Sequence, residues 1–431
     1  MKIYNSYKDS NIEWIGKIPS HWTILRGKYW TKIISGFAFD SNKFTKEEGY
    51  IGLIRIRDIY KTETEMNYKG SYSKDAIVQT GDILIGMDGD FNIERWKGKP
   101  ALLNQRVCKI CNTKKGNENY LFYLLPRLLK CINDVTYSTT VKHLSVYDII
   151  NSELPLPPLS EQQAIATYLD KKCGEINHAI DVQKNKIDLL GELKQTIITD
   201  AVTKGLNPNA PMKDSGVEWI GEVPEHWERK RIKFLCSNSS AGIWGEEEKG
   251  DVNDIVCFRV ADFDYQRGYL CFDKLILRNI MPKDLNGRVL TENSLLIEKS
   301  GGGEVTPVGR VVRYNYEDKA ICSNFIHFIT INKLYNRDFL YYYFYALYAN
   351  KENLLYFNQT TGIQNLKIGE YLGQSIFLPS FTEQQDIASY LNEECAKIDS
   401  QISKANRRIE LLEELKQSII TEAVTGKIKV C

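Results

Sequence analysis

The chain has 431 residues, 43% of them hydrophobic and 26% charged, with a net charge of +1. That length exceeds one ordinary domain and predicts two to four, each with its own core. No run approaches the roughly 18 uninterrupted apolar residues of a membrane span, and no apolar stretch follows the N-terminal lysines, so a soluble, unexported, cytoplasmic protein is expected.

The first element is the string DSNIEWIGKIPSHW, Asp9 to Trp22. Behind it, apolar runs separated by Gly, Asn and Asp predict short strands and turns: IGLIRIRDI from Ile51, GDILIG from Gly81 and RVCKI from Arg106. The last carries a CxxC, Cys108 and Cys111, but no second pair or nearby histidine completes a zinc set. The ten irregularly spaced cysteines read as reduced thiols, and no metal is expected. ENYLFYLLPRLLK from Glu118 predicts a helix whose almost continuous apolar residues suit packing rather than base stacking.

A capping box, Ser160 with Gln163, then opens a long proline-free helix. Its apolar stripe runs Leu169, Cys173, Ile176, Ile180, Ile187, Leu190, Ile197 and Ala201, broken only at Gln183 and Lys194. KGLNPNAPMKDSG leads into DSGVEWIGEVPEHW, Asp214 to Trp227, and a second block follows with DIVCFRV from Asp254, SNFIHFITI from Ser323 and RDFLYYYFYAL from Arg337. Thr382 with Gln385 opens a second long helix, whose stripe is Leu391, Cys395, Ile398, Ile402, Ala405, Ile409, Leu412, Ile419 and Ala423, broken at Lys416. Steps of four and three are a coiled-coil seam.

Thus one unit is written twice. The Asp9 string recurs at an offset of 205, while PLSEQQAIATYLD from Pro158 and GELKQTIITDAVT from Gly191 recur at 222, as do Thr139, Leu144 and Leu156 in Thr361, Leu366 and Leu378. Elsewhere the two blocks show little likeness. The expected fold is α+β: two globular blocks, each a twisted sheet with short helices, joined by two long helices in an antiparallel coiled coil with pseudo-twofold symmetry. The expected boundaries are 1–155, 156–204, 205–377 and 378–431. A helix of roughly 45 residues extends about 67 Å and needs a partner along its length. Pseudo-twofold pairing makes the helices antiparallel and sends the blocks to opposite ends.

Charge is uneven. Residues 22–155 hold 20 Lys+Arg against 15 Asp+Glu, and 227–377 hold 19 against 18, whereas 160–204 and 382–428 are acidic at 6 against 7 and 6 against 9. Contact with a polyanion therefore belongs to the blocks. Candidate base or phosphate contacts are polar residues at strand ends and turns: Arg55, Arg57, Asp88, Asp90, Arg95, Gln105 and Arg106 in the first block. In the second they are Arg259, Lys299, Ser300 before the Gly301–Gly303 run, Asn324, Gln359 and Thr360.

The duplicated EWIG-x-(I/V)-P-x-HW, the (S/T)EQQ-x-IA-x-YL and the LKQ-x-IIT-x-AVT strings resemble those of type I restriction-modification specificity subunits, over both frames. The resemblance implies two target-recognition domains, each reading half of a bipartite asymmetric DNA target, with the coiled coil setting the spacing. It implies that the helices and EWIG segments dock two methyltransferase subunits, that restriction (endonuclease and translocase) subunits join the full complex, and that S-adenosylmethionine, ATP and magnesium bind those partners rather than this chain. The blocks themselves vary within such a family, so no base contact carries over. The sequence shows neither a D/N-P-P-Y/F motif nor GxxxxGK[ST], and its Pro-Pro is the LPPL at Pro157–Pro158, so no catalysis is expected. His21 and His226, set between proline and tryptophan, suit packing better than general-base work. A coiled-coil adaptor binding only protein is the alternative, and it leaves two dissimilar blocks unexplained.

Overall fold

A computed structural model describes residues 3–135, 142–360 and 362–430 of the chain, so Thr139 and Thr361 lie outside the described residues, as does the side chain of Thr360. The chain divides into two compact units, residues 1–182 with 408–431, and residues 183–407. Each unit therefore takes one globular block together with a stretch of both long helices, Leu159–Lys204 (the central helix) and Phe381–Val424 (the C-terminal helix).

Both helices start earlier than the capping boxes predict. The central helix is initiated by the Pro158 carbonyl, which accepts from the Glu161 and Gln162 amides, and the C-terminal helix by Ser380, whose hydroxyl accepts from the Glu383 amide at 3.3 Å. Ser160 and Thr382 sit inside the first turn. The glutamate and first glutamine of the EQQ string are freed for long-range work. The buried Gln162 accepts from the Asn117 amide and donates to the Lys115 and Pro157 carbonyls; Gln384 accepts from the Asn336 amide and donates to the Pro379 carbonyl. Asn117 and Asn336 in turn cap the aromatic-rich helices Glu118–Val135 and Arg337–Ala349, so the string welds each block's helix to a long one.

The repeated tryptophan string is a second weld. Gly16 and Gly221 both take φ of +68°, a left-handed turn that lets each strand fold back on the next. Trp22 and Trp227 are buried. His21 Nε2 lies 2.9 Å from Glu161, and His226 Nε2 lies 2.9 Å from Glu383, with both rings about half exposed. The histidines thus act by linking rather than by burial. The two copies share the histidine–glutamate link but differ beside it: Trp227 donates its Nε1 to Glu383 at 3.2 Å, whereas in the first copy the Tyr4 hydroxyl donates to Glu161.

The seam is formed within each unit. In the first, Leu169, Cys173, Ile176 and Ile180 share a core with Ile419 and Ala423, flanked by Ile409 and Leu412; in the second, Ile198 and Ala201 share one with Ile387, Leu391 and Cys395, flanked by Ile197. Every predicted seam residue is buried or half-buried. The two lysine breaks in the stripe are cross-helix contacts: Lys416 donates to Asn177 at 2.8 Å in one unit, and Lys194 donates to both carboxylate oxygens of Asp399 at 2.7 and 2.8 Å in the other. Numbers rise along one helix as they fall along the other, so the pair is antiparallel. Polar pairs across a seam fix register more than they add stability.

In the first block a four-stranded sheet (93–95, 83–86, 107–111, 32–35) lies beside a five-stranded one in which 51–54 runs parallel to 101–103. In the second a six-stranded sheet is built around 294–298 and 326–331, and 254–258 runs parallel to 320–322. The aromatic helices are buried packing elements, with Tyr120, Leu124, Phe339, Tyr343 and Phe344 at 1% exposure or less. Each block is tied to the seam by a tyrosine and an arginine: Tyr123 donates to Asp170 at 2.7 Å with Arg95 at 3.6 Å, and Tyr342 and Arg313 donate to Asn392 at 2.8 and 3.1 Å.

Candidate nucleic-acid interface

Although the block sequences diverge, their backbones make the same cross. In the first, the Phe37 amide donates to the Leu103 carbonyl, Asn104 to Ile54, Gly36 to Val107, Val107 to Asn104, Met87 to Arg106 and Leu144 to Met87. In the second, Ile243 donates to Cys322, Ser323 to Phe258, Gly242 to Ile326, Ile326 to Ser323, Lys299 to Phe325 and Leu366 to Lys299. Six bonds coincide. The crossing is too tight for a side chain at its centre: a Cβ on Gly36 would stand 1.9 Å from the Asn104 carbonyl oxygen, and one on Gly242 2.2 Å from that of Ser323. Gly36→Ala and Gly242→Ala are each expected to cost about 2–3 kcal/mol, read as a lowered urea midpoint at unchanged slope. A destabilisation below about 0.5 kcal/mol would show that the cross yields freely.

A likeness that the sequence reading passed over sits beside the cross. Arg55-x-x-Asp58 and Arg259-x-x-Asp262 form identical reciprocal turns, in which the aspartate accepts from the arginine's amide (3.0 and 2.7 Å) and from its Nε (3.2 and 3.1 Å). Asp58 is fully buried, and Arg55 also reaches Glu65 at 2.8 Å. These two arginines spend their charge within the protein. Arg57, two residues after Arg55, is exposed.

The cross gathers several of the other candidates. Asp88 Oδ1 stands 2.7 Å from His143 Nδ1 and 3.5 Å from the Arg106 guanidinium, which itself lies 3.3 Å from His143, with Gln105 exposed alongside. Asp90 projects from the next turn into a separate hollow with Tyr60 and Lys130. Arg95 faces the aromatic helix instead, 4.6 Å over the Phe122 ring and 2.8 Å from Asn119.

In the second block Arg259, Ser300 and Asn324 line one cavity of about 530 Å³, walled by Trp244 and Phe325. Ser300 donates to Asn365 at 2.7 Å. The glycines close a turn, Gly303 donating to Thr306. Lys299 is half-buried; burial first, and this lysine second, pull the His327 pKa down to about 4. Gln359 is exposed on 357–360, two strands from Gly301.

His143, Asn365, Trp244 and Phe325 escaped the sequence reading. His143 and Asn365 immediately precede the landmark Leu144 and Leu366, whose shared offset was the available signal. Cys108 lies buried on 107–111, where burial pushes its thiol up to about 12, and among the described residues no three His, Cys, Asp or Glu are grouped to hold a metal ion. No described helix is long and apolar enough to cross a membrane.

Comparison with known proteins agrees with this duplicated frame. The type I restriction modification DNA specificity domain matches residues 19–186 and again 224–413. The specificity subunit of the type I restriction enzyme EcoBI from Escherichia coli is 29% identical, over 97% of this chain and 89% of its own length, and that of MjaVIII from Methanocaldococcus jannaschii is 25% identical, over 99% and 98%. A chain solved in a study of complex assembly and conformational transition of the type I restriction-modification system has the same fold, with a TM-score of 0.69 at 17% identity, covering 95% of this chain and 99% of that one. With both frames matched and both blocks built on one backbone cross, the chain belongs to the family of type I restriction-modification DNA specificity subunits.

Proposed function

We propose that residues 1–155 and 205–377 each read one half of a bipartite, asymmetric DNA target, and that the coiled coil of residues 156–204 and 378–431 fixes the gap between the halves. The observation that carries this reading is the repetition of one backbone cross under different side chains: a shared scaffold presents two chemistries. The chain itself is non-catalytic. It acts in the cytoplasm with two methyltransferase subunits, and the full complex adds restriction subunits; S-adenosylmethionine, ATP and magnesium are bound by those partners.

Two docks of one kind are supported by a repeated apolar pair on the long helices. Leu189 and Leu193 are 65% and 48% exposed, and Leu411 and Leu415, at the 222 offset, are 48% and 47% exposed. Such side chains at a spacing of four form a stripe that a partner helix covers. Leu189→Asp with Leu193→Asp is expected to leave one methyltransferase per chain in place of two, weighed by light scattering of the purified complex. Retention of two would remove these leucines from the dock. The reading itself is tested by selection of duplexes from a random library with the complex. Enrichment of a split motif is expected, and a library left unenriched would refute it.

A further inference from the structure

The backbone cross makes four positions in the first block equivalent to four in the second. Because Met87 and Lys299 each donate to the turn and accept from the returning leucine, Asp88 matches Ser300 and His143 matches Asn365; both pairs face each other across an antiparallel bridge. Because Val107 and Ile326 close the same turn, Gln105 matches Asn324 and Arg106 matches Phe325. The chemistry at the four positions is opposite. The first block holds a carboxylate, an imidazole and a guanidinium in mutual contact, with the exposed Gln105 amide next to the guanidinium in sequence. The second holds a hydroxyl bonded to an amide, a further exposed amide and an exposed phenyl ring.

Resting on the DNA-reading function above, we propose that this quartet is the specificity-determining element of each block, with Arg106 reading a guanine in one half-target and Asn324 with Phe325 reading an A·T pair in the other. A guanine offers two acceptors, O6 and N7, in the major groove, and a guanidinium matches them with two parallel donors. Arg106 is exposed, as is His143, and the contacts of its guanidinium with His143 and with the less exposed Asp88 restrict its rotamers. Orienting a fork in this way is what separates reading a base from merely neutralising a phosphate. At the matched positions the second block offers no charge. An exposed carboxamide donates and accepts at once, as the N7 and N6 edge of adenine requires, and an apolar ring beside it suits the thymine methyl. Arg55 and Arg259, occupied by their own aspartates in both blocks alike, serve the scaffold rather than the choice of base.

The test uses the full chain co-expressed with its methyltransferase subunit, with target motifs mapped by single-molecule sequencing of methylated DNA. Arg106→Gln is expected to lower discrimination at one G·C position roughly 10- to 100-fold, and to leave the other half-target unchanged. Arg106→Lys, which keeps the charge but not the fork, is expected to lose that discrimination equally. Asn324→Ala is expected to relax one A·T position in the opposite half. These positions are exposed, so folding is preserved, and an unchanged far half-target verifies it in the same experiment. An unaltered motif with uniformly slower methylation would make Arg106 a phosphate contact and overturn the proposal while leaving DNA reading intact. Full function of Arg106→Lys would overturn it as well. A wild-type complex that methylates no split motif would instead sink the underlying function.

Discussion

Exchanging residues 22–155 for the equivalent block of another family member changes one half of the target and leaves the other as it was. The expectation follows from how the blocks are fastened. The block is held by Gln162 on the Asn117 amide and by Tyr123 and Arg95 on Asp170, with the His21–Glu161 link just ahead of it left in place by the exchange. All of these bonds end on the central helix rather than on the other block. Residues 227–377 carry their own set, Gln384 on the Asn336 amide and Tyr342 with Arg313 on Asn392, with the His226–Glu383 link just ahead of them. Each block is therefore a separately anchored module on a common mount. The effect is all-or-none for the exchanged half, because each wrong base pair costs about 1–3 kcal/mol and a half-target contains several. Methylome mapping of the chimera checks it. A change in both halves would mean that the blocks read jointly.

Inserting four residues into the central helix between Gln183 and Ile187 lengthens the gap tolerated between the half-targets by one or two base pairs. One turn adds about 6 Å, against about 3.4 Å of rise per base pair. The site is chosen for the seam: Gln183 is already a polar break, and a four-residue insertion is a stutter that a coiled coil absorbs by local unwinding. The anchors on Asp170 and Asn392 lie outside the inserted turn, so both reading surfaces survive. Binding to duplexes whose half-targets are separated by every gap from three to nine base pairs, an illustrative range of about one helical turn, reads the result directly. An optimum that stays at the wild-type gap would show that the coiled coil sets no spacing.

Much of this architecture was legible because a duplication exposes its own constraints. Residues that recur at a fixed offset, such as Glu161 with Glu383 and Trp22 with Trp227, are the ones that join elements in the structure. The coiled-coil stripe was legible for a different reason, since a 3.5-residue period over more than 40 residues has no other use at that length. The interior of the blocks was not. Their strands are two to six residues long and pair out of sequence order, with 51–54 beside 101–103 and 254–258 beside 320–322, so no local pattern states which turn meets which.

For the same reason the polarity of a residue did not reveal its use. Arg55, Arg95 and Arg106 look alike in sequence; one is locked to a buried aspartate, one is laid over a phenylalanine and one stands exposed at a turn. The helix starts were misplaced because a serine or threonine three residues before a glutamine satisfies the capping pattern. The residue that caps the C-terminal helix is nevertheless Ser380, two positions earlier, and at the central helix the matching position is a proline. The cap had shifted so that Glu161 and Glu383 could turn toward the histidines.

The central claim is that one scaffold, repeated, reads two unlike half-targets. Single-molecule sequencing of DNA methylated by the complex of this chain with its methyltransferase measures that most directly. The account predicts a single motif made of two different specified halves separated by a gap of fixed length. A continuous motif, a symmetric palindrome or methylation without sequence preference would contradict it.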